Sequence, residues 1–501
     1  MRKPRLPEGG RGTSTSTVTR ETTAQELDWR SLARSLSGAL LRPGDADYPS
    51  AGHLYNALCL SDPTAIAQCA SVSDVQRCLA FARRHGVELA VRAGGHSYGG
   101  YSSCAGLVID VSPLDGVGTA GGVAKRGGVN GRAVASVGAG TVLIDVYSQL
   151  GSRGLLLPGG SCPTVGIAGL ALGGGIGVFS RAYGLTCDRM AGVDVVTADG
   201  ALRRCGPNQD ADLFWACRGG GGGNFGVVTS FDFDVQPIPA AISLFTLEWP
   251  WDAAADVLDA WVRWIPQTPN ELWANCQLYS SGVAGGGLVK VTGVFAGSVS
   301  ACTAALDPLT SAVGTATTYR FVGPEDYLTA TMIEAGCEGK PLAQCAAPVQ
   351  SPFAAKSSYI NGPLPAQAIN GLISSLSTLP TTLPGAGGGV VFDAYGGAIN
   401  EIPPAQTAFV HRNAVACAQY SITFPSVSPA SSAKAAASAW LDDVQRLFLP
   451  VAQGSYQNYI DPTLADWQQA YYGTNLARLR QVKRTYDPDD VFRFAQSIPP
   501  A

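Results

Sequence analysis

The sequence is poor in charge. Asp, Glu, Lys and Arg make up 14% of its 501 residues, against 46% apolar residues, and the net charge is −4. That balance excludes a disordered, self-repelling chain, and no basic stripe with interleaved aromatics marks a nucleic-acid binder. No stretch approaches the ~18 uninterrupted apolar residues of a membrane span. Residues 1–25 begin basic and continue Ser/Thr-rich with no apolar core. They carry no recognisable secretory signal, so a disordered tail and a cytoplasmic location are expected. Histidine is scarce, with only His53, His85, His96 and His411 present. The 13 cysteines contain no CxxC pair, and neither cysteine nor carboxylate stands at metal-ligand spacing from His96, so no metal site is expected. Cys337 and Cys345 are close enough to bridge. Other disulfides would form only in an exported chain; in the cytosol most of these thiols would be small buried apolar groups. The dinucleotide GxGxxG opening a helix and the P-loop are missing as well.

What the sequence has instead is glycine, in three clusters beside apolar segments. The length favours two domains. A short amphipathic helix is predicted over Glu26–Leu41 and another over Ser73–His85, with Ser73 as N-cap and Gly86 as the stop. Strands are predicted at Val87–Arg92, Leu107–Val111, Ala133–Gly138, Asp194–Asp199 and Val227–Phe233, with a helix at Thr141–Leu150. The first strand runs through Arg92 into Ala93-Gly94-Gly95-His96-Ser97-Tyr98. A glycine turn after a strand exposes successive backbone N–H groups and makes a concavity for a pyrophosphate. Leu155–Gly177 (LLLPGGSCPTVGIAGLALGGGIG) is glycine-dense and holds one nucleophile, Cys162. Missing Cβ atoms there let backbone approach a flat or anionic ligand. Arg218–Gly226 (RGGGGGNFG) is the third cluster. Taken singly, His96 reads as a structural or solvated histidine and Cys162 as a buried thiol; the combination is far more specific.

GGHSYGGYSS, SCPTVGIAGLALGGGIG, RGGGGGNFGVVTSF, YQNYID and YYGTNLARLRQVKRTYDPDDVF together resemble the berberine-bridge-enzyme-like flavoprotein oxidases of the vanillyl-alcohol-oxidase (PCMH-type) FAD superfamily. The resemblance spans roughly residues 45–498. It implies an α+β, two-domain PCMH-type FAD-binding fold whose antiparallel-sheet substrate domain is covered by helices. The expected division is a tail and short helix over 1–45, an FAD domain over 46–236, a substrate domain over 237–450 and a returning segment over 451–501. It further implies FAD bonded twice, through His96 to the 8α carbon and through Cys162 to C6. The remaining expected cofactor contacts are Arg92, Ala93, Gly94, Gly95, Ser97, Tyr98, Val165, Gly166, Gly169, Gly226, Val228 and Asn458. Val165 matches a position that admits oxygen when it is valine. Two covalent bonds would hold the ring in an open cleft and ease hydride acceptance, with the cofactor carrying the redox step.

Beyond Pro237 the pattern changes. Helices are predicted at Asp252–Ile265, Ser298–Val313, Asp326–Ala335, Pro365–Leu376 and Ser431–Leu449, and strands at Val289–Phe295, Val390–Tyr395 and Ala416–Phe424. The resemblance makes Tyr456 the catalytic base. A phenol with an ordinary pKa of ~10 needs assistance in that role, and Asp393 and Tyr395 are both candidates to give it. The reaction implied is hydride transfer from an alcohol or hemiacetal C–H, on an oligosaccharide or a glycosylated or polyketide-like metabolite, followed by reoxidation with O2 to hydrogen peroxide. The alternatives are oxidation of an amine or N-heterocycle, with or without ring closure, and a flavin-containing binding protein of low turnover. A small-molecule substrate and O2 are the expected partners, without nucleic acid or membrane; oligomeric state is not encoded in any feature found.

Overall fold

A computed structural model describes residues 28–59, 61–118, 133–337, 339–347 and 349–501. The expected disordered tail lies outside the described residues. Three sheets organise the chain. In the first, β2 (Ala65–Gln68), β4 (Leu107–Asp110) and β3 (Leu89–Arg92) run parallel, and β1 (Ala39–Leu41) pairs antiparallel on the β2 edge. The second is antiparallel, in the order β5 (Val117–Gly118), β6 (Ala133–Gly138), β10 (Val227–Pro237), β8 (Met190–Val196), β9 (Leu202–Cys205), with β7 (Leu155–Leu156) on the end of β10. The third has seven antiparallel strands: β14 (Tyr319–Pro324), β11 (Ser243–Trp249), β13 (Gly287–Phe295), β12 (Leu272–Ser280), β16 (Gly387–Ala394), β17 (Ala416–Thr423) and β15 (Phe353–Ile360).

The seven-stranded sheet divides its side chains by the two-residue period of a strand. Along β12, Ala274, Cys276 and Leu278 are buried on one side. The helices Ala254–Trp264, Ala366–Thr382 and Ser431–Phe448 pack on this sheet and on one another. Trp273, Asn275 and Tyr279 point to the other side and line a cavity. The C-terminal segment then returns. Lys483 lies in the helix Leu476–Tyr486, fully buried, paired with Asp487 at 2.7 Å and donating to the Asn224 carbonyl at 2.8 Å.

Several expected elements are corrected. The helix predicted over Glu26–Leu41 is helical only at Trp29–Ser35, and Ala39–Leu41 is a strand. Gly38 explains the change: a Cβ there would stand 1.8 Å from the Gln68 carbonyl oxygen, so glycine admits the chain to the sheet edge. The N-cap of the next helix, Val72–His85, is Ser71 rather than Ser73, its hydroxyl accepting from the Asp74 N–H. The strand expected at Asp194–Asp199 begins earlier and ends at Val196. The seven-stranded sheet also holds β11, β12, β14 and β15, where the sequence pattern predicts no strand. In β15, Lys356, Ser357 and Ser358 interrupt the apolar alternation that marks a strand.

Candidate active site

A cavity of about 970 Å³ lies between the glycine loops of the first two sheets and the exposed face of the seven-stranded sheet. That volume is at the upper end of the roughly 300–1,000 Å³ usual for a ligand site, enough for a large cofactor beside a substrate. Two of the glycine clusters meet in its wall. A Cβ on Gly94 would lie 2.3 Å from the Gly166 nitrogen, and one on Gly166 would lie 2.5 Å from the Gly94 nitrogen. Both must be glycine for the loops to touch. The N–H groups of Gly94, Gly95, His96 and Ser97 donate to no backbone carbonyl among the described residues, which leaves them to an anionic ligand. Gly169 opens into the cavity with no atom within 4 Å of a Cβ. Among the described residues no cluster of three or more metal-binding side chains exists. A long cavity walled by backbone, with unspent N–H donors, fits FAD.

Ala93, Gly94, Gly95, His96, Ser97, Tyr98, Cys162, Val165, Gly166, Gly169, Gly226, Val228 and Asn458 all line this cavity. Arg92 does not. Its guanidinium pairs with Asp110 at 2.9 Å behind the wall, both buried, which ties β3 to β4 and fixes the turn that follows. His96 stacks on Tyr55 with ring centroids 4.3 Å apart, and its Nε2 lies 2.9 Å from the Thr164 hydroxyl. Burial lowers the imidazole pKa to about 4, against a weaker opposing pull from the Thr164 backbone, so the ring is neutral. The same hydroxyl stands 4.0 Å from Cys162 Sγ. Burial pushes that thiol up, while hydrogen bonds from Thr164 and Val165 draw it down.

Across the cavity, the Tyr456 phenol oxygen accepts the Gly175 N–H at 2.8 Å and Asn458 Nδ2 at 2.8 Å. Burial pushes this phenol above its ordinary value and the two donors pull it back, since each favours the phenolate. The glycine run supplies the geometry. Gly174 and Gly175 take φ of +130° and +87°, which turn the Gly175 amide toward the phenol. Gly173 leaves room for Asn458, whose Oδ1 would otherwise lie 1.9 Å from a Cβ. The Gly175 carbonyl is held in turn by the Thr186 N–H at 3.0 Å.

Asp393 and Tyr395 share one face of the chain at β16 but occupy different surroundings. Asp393 is paired between Asn275 of β12 and Cys417 of β17, and it lines the cavity. Tyr395 is buried behind that wall, its hydroxyl 3.2 Å from that of Tyr359. Tyr359 packs edge-on to Tyr456 at 6.2 Å and face-on to His411 at 4.1 Å. Sequence reading missed Tyr55, Tyr359, Trp273, Asn275 and Gln419, because no motif marks a residue whose role comes from a neighbouring strand. It also missed two buried arginines that clamp the site. Arg412 pairs with Asp188 at 2.7 and 2.9 Å, and Arg181 donates to the carbonyls of Leu272, Thr268 and Tyr395. Cys337 and Cys345 are bridged and both line the cavity; the other eleven cysteines are free. No helix among the described residues is long and apolar enough to cross a membrane.

This geometry defines a flavin-dependent oxidoreductase with the PCMH-type fold. Residues 63–206 match the FAD binding domain family, and residues 455–499 match the family described as berberine and berberine like. An uncharacterized FAD-linked oxidoreductase of Bacillus subtilis, YgaK, is 33% identical over 471 residues, 93% of this chain and 97% of that one. The chitooligosaccharide oxidase of Gibberella zeae is 28% identical over 487 residues, 91% of each. Among solved structures, Physcomitrella patens BBE-like 1 superposes with a TM-score of 0.83 at 29% identity, covering 94% of this chain and 99% of that one. A glucooligosaccharide oxidase from Acremonium strictum, described as carrying 6-S-cysteinyl, 8α-N1-histidyl FAD, superposes at 0.81 with 25% identity, covering 94% and 98%. The chain belongs to the berberine-bridge-enzyme-like FAD-linked oxidoreductases.

Proposed function

We propose that this enzyme oxidises a carbohydrate C–H bond beside a hydroxyl, a hemiacetal in the first instance, on FAD bonded to His96 and Cys162. The observation that carries this reading is the Tyr456 oxygen, held by two N–H donors in the cavity that His96 and Cys162 enter from one side and Asp393 from the other. FAD bound there would supply the hydride acceptor and the route for electrons to O2, with hydrogen peroxide as the product. Tyr456 takes the substrate hydroxyl proton as the C–H bond breaks. The Gly175 and Asn458 N–H groups favour the phenolate as it forms and hold the oxygen in place. Asp393 lines the cavity and Tyr395 does not, and Asp393 is the group we assign to assist.

The sheet wall supports a sugar. Asn275, Gln419, Ser421 and Thr423 offer amides and hydroxyls, interleaved with the rings of Trp273, Tyr279 and Tyr459. Among the described residues the buried Trp273 Nε1 has no hydrogen-bond partner. Such mixed walls recognise polar ligands with apolar faces. The experiment is a screen of oligosaccharides, secondary alcohols and amines for peroxide release, paired with anaerobic bleaching of the flavin absorbance. Sugars should bleach and release peroxide. Bleaching by amines alone would move the enzyme to C–N oxidation, and bleaching by none would point to a binding protein.

A further inference from the structure

The hydroxyl of Thr164 sits between the two residues that reach the flavin ring. It is 2.9 Å from His96 Nε2 and 4.0 Å from Cys162 Sγ. Its backbone is pinned on both sides: the Val165 N–H donates to the Cys162 carbonyl at 3.3 Å, and the Pro163 and Val165 carbonyls accept from Ile144 and Leu143 at 3.1 and 3.0 Å. Tyr55 closes one face of the imidazole. The ring therefore has little freedom to turn, and Nε2 is the nitrogen already engaged.

We infer that Thr164 is the positioning residue for covalent attachment at His96: it accepts the Nε2 proton and thereby leaves the Nδ1 lone pair to form the bond. The inference rests on the bicovalent reading above. A neutral imidazole has one N–H and one lone pair, and the partner of the first decides the place of the second. Attachment joins Nδ1 to the 8α carbon. One C–H bond of that carbon breaks, and the imidazole, cationic once alkylated, gives up the Nε2 proton through the Thr164 hydroxyl. The two electrons from the broken C–H bond reduce the flavin, and the two protons balance the charge. O2 then takes two electrons and two protons and leaves as hydrogen peroxide, restoring the oxidised ring. Without the hydroxyl, the ring keeps only the weaker pull of the Thr164 backbone, and it can place its proton on Nδ1, where it blocks the bond.

The test is the flavin occupancy of each residue, read by mass on the proteolytic peptides that contain His96 and Cys162. It is measured on holoenzyme purified with FAD and again after prolonged aerobic incubation with FAD. Thr164→Val and Thr164→Ala should each lose at least tenfold in His96-bound flavin, while Thr164→Ser keeps the wild-type level. The two hydroxyl-free variants differ in bulk, so a folding failure in one leaves the other to decide. Wild-type occupancy of His96 in either variant would overturn the inference. Equal loss in the serine variant would also overturn it, because the fault would then be packing. If the wild-type enzyme itself carries flavin on neither peptide, the bicovalent reading fails first and is recognised as such.

Discussion

Removing the side-chain amide of Asn458 tests how the proposed base, Tyr456, is prepared. Asn458 Nδ2 donates to Tyr456 at 2.8 Å and to the Leu170 carbonyl at 3.0 Å. In Asn458→Ala the phenol keeps only the Gly175 N–H. A hydrogen bond to a charged acceptor contributes about 1.5–3 kcal/mol and one to a neutral acceptor about 0.5–1.5. The difference, on the order of 1–1.5 kcal/mol, favours the phenolate, and its loss raises the Tyr456 pKa by about one unit. At neutral pH the phenolate fraction then falls about tenfold. The remaining base is intrinsically stronger, which recovers part of the rate and leaves a loss of roughly three- to tenfold. The sign follows from the direction of the shift: burial already holds the wild-type phenol above its ordinary value, so below that pKa the two enzymes differ by a constant factor, and they converge only in alkali beyond it. Stopped-flow anaerobic flavin reduction from pH 6 to 10.5 reads this directly. An unchanged rate across this range would refute the argument, since it would show that the Asn458 amide does not favour the phenolate. The unsatisfied Leu170 carbonyl adds a stability cost of about 1–3 kcal/mol, which is read separately from the melting curve.

Tyr456→Phe should slow anaerobic reduction more than tenfold at all accessible pH values while the flavin absorbance remains that of the wild type. Acid-precipitated Cys162→Ala should stay yellow through the His96 bond with a shifted spectrum, and only the double variant with His96→Ala should release its flavin to the supernatant. Arg412→Met strands the Asp188 carboxylate, which is 3% exposed; breaking such a buried pair costs about 3–5 kcal/mol, to be seen as a lower denaturant midpoint. His411 is held neutral by burial, with a pKa of about 4 against an ordinary 6.5. The unfolded chain therefore takes up that proton first as pH falls, and stability declines from pH 6.5 toward 4. His411→Gln should flatten that part of the stability curve, which urea titrations at pH 7 and 4.5 would detect.

The sequence by itself determined the features that depend on local chemistry. A glycine turn after a strand, a thiol within a glycine-dense loop and a tyrosine beside an asparagine are legible because φ, Cβ absence and side-chain type belong to single residues. His96, Cys162 and Tyr456 stand out in the chain for that reason, and so does Arg92, whose guanidinium pairs with Asp110 and does not line the cavity. Tertiary structure alone decided what those residues face. Tyr456 acquires its second donor from Gly175, 281 positions away. Asp393 reaches the cavity through its register between Asn275 and Cys417, and a slip of one residue would turn it to the helix side. Tyr395, two residues on, is drawn to Tyr359 instead. Non-local pairing of this kind leaves no periodic trace in either partner, so the candidate groups are readable from the chain and their arrangement is not.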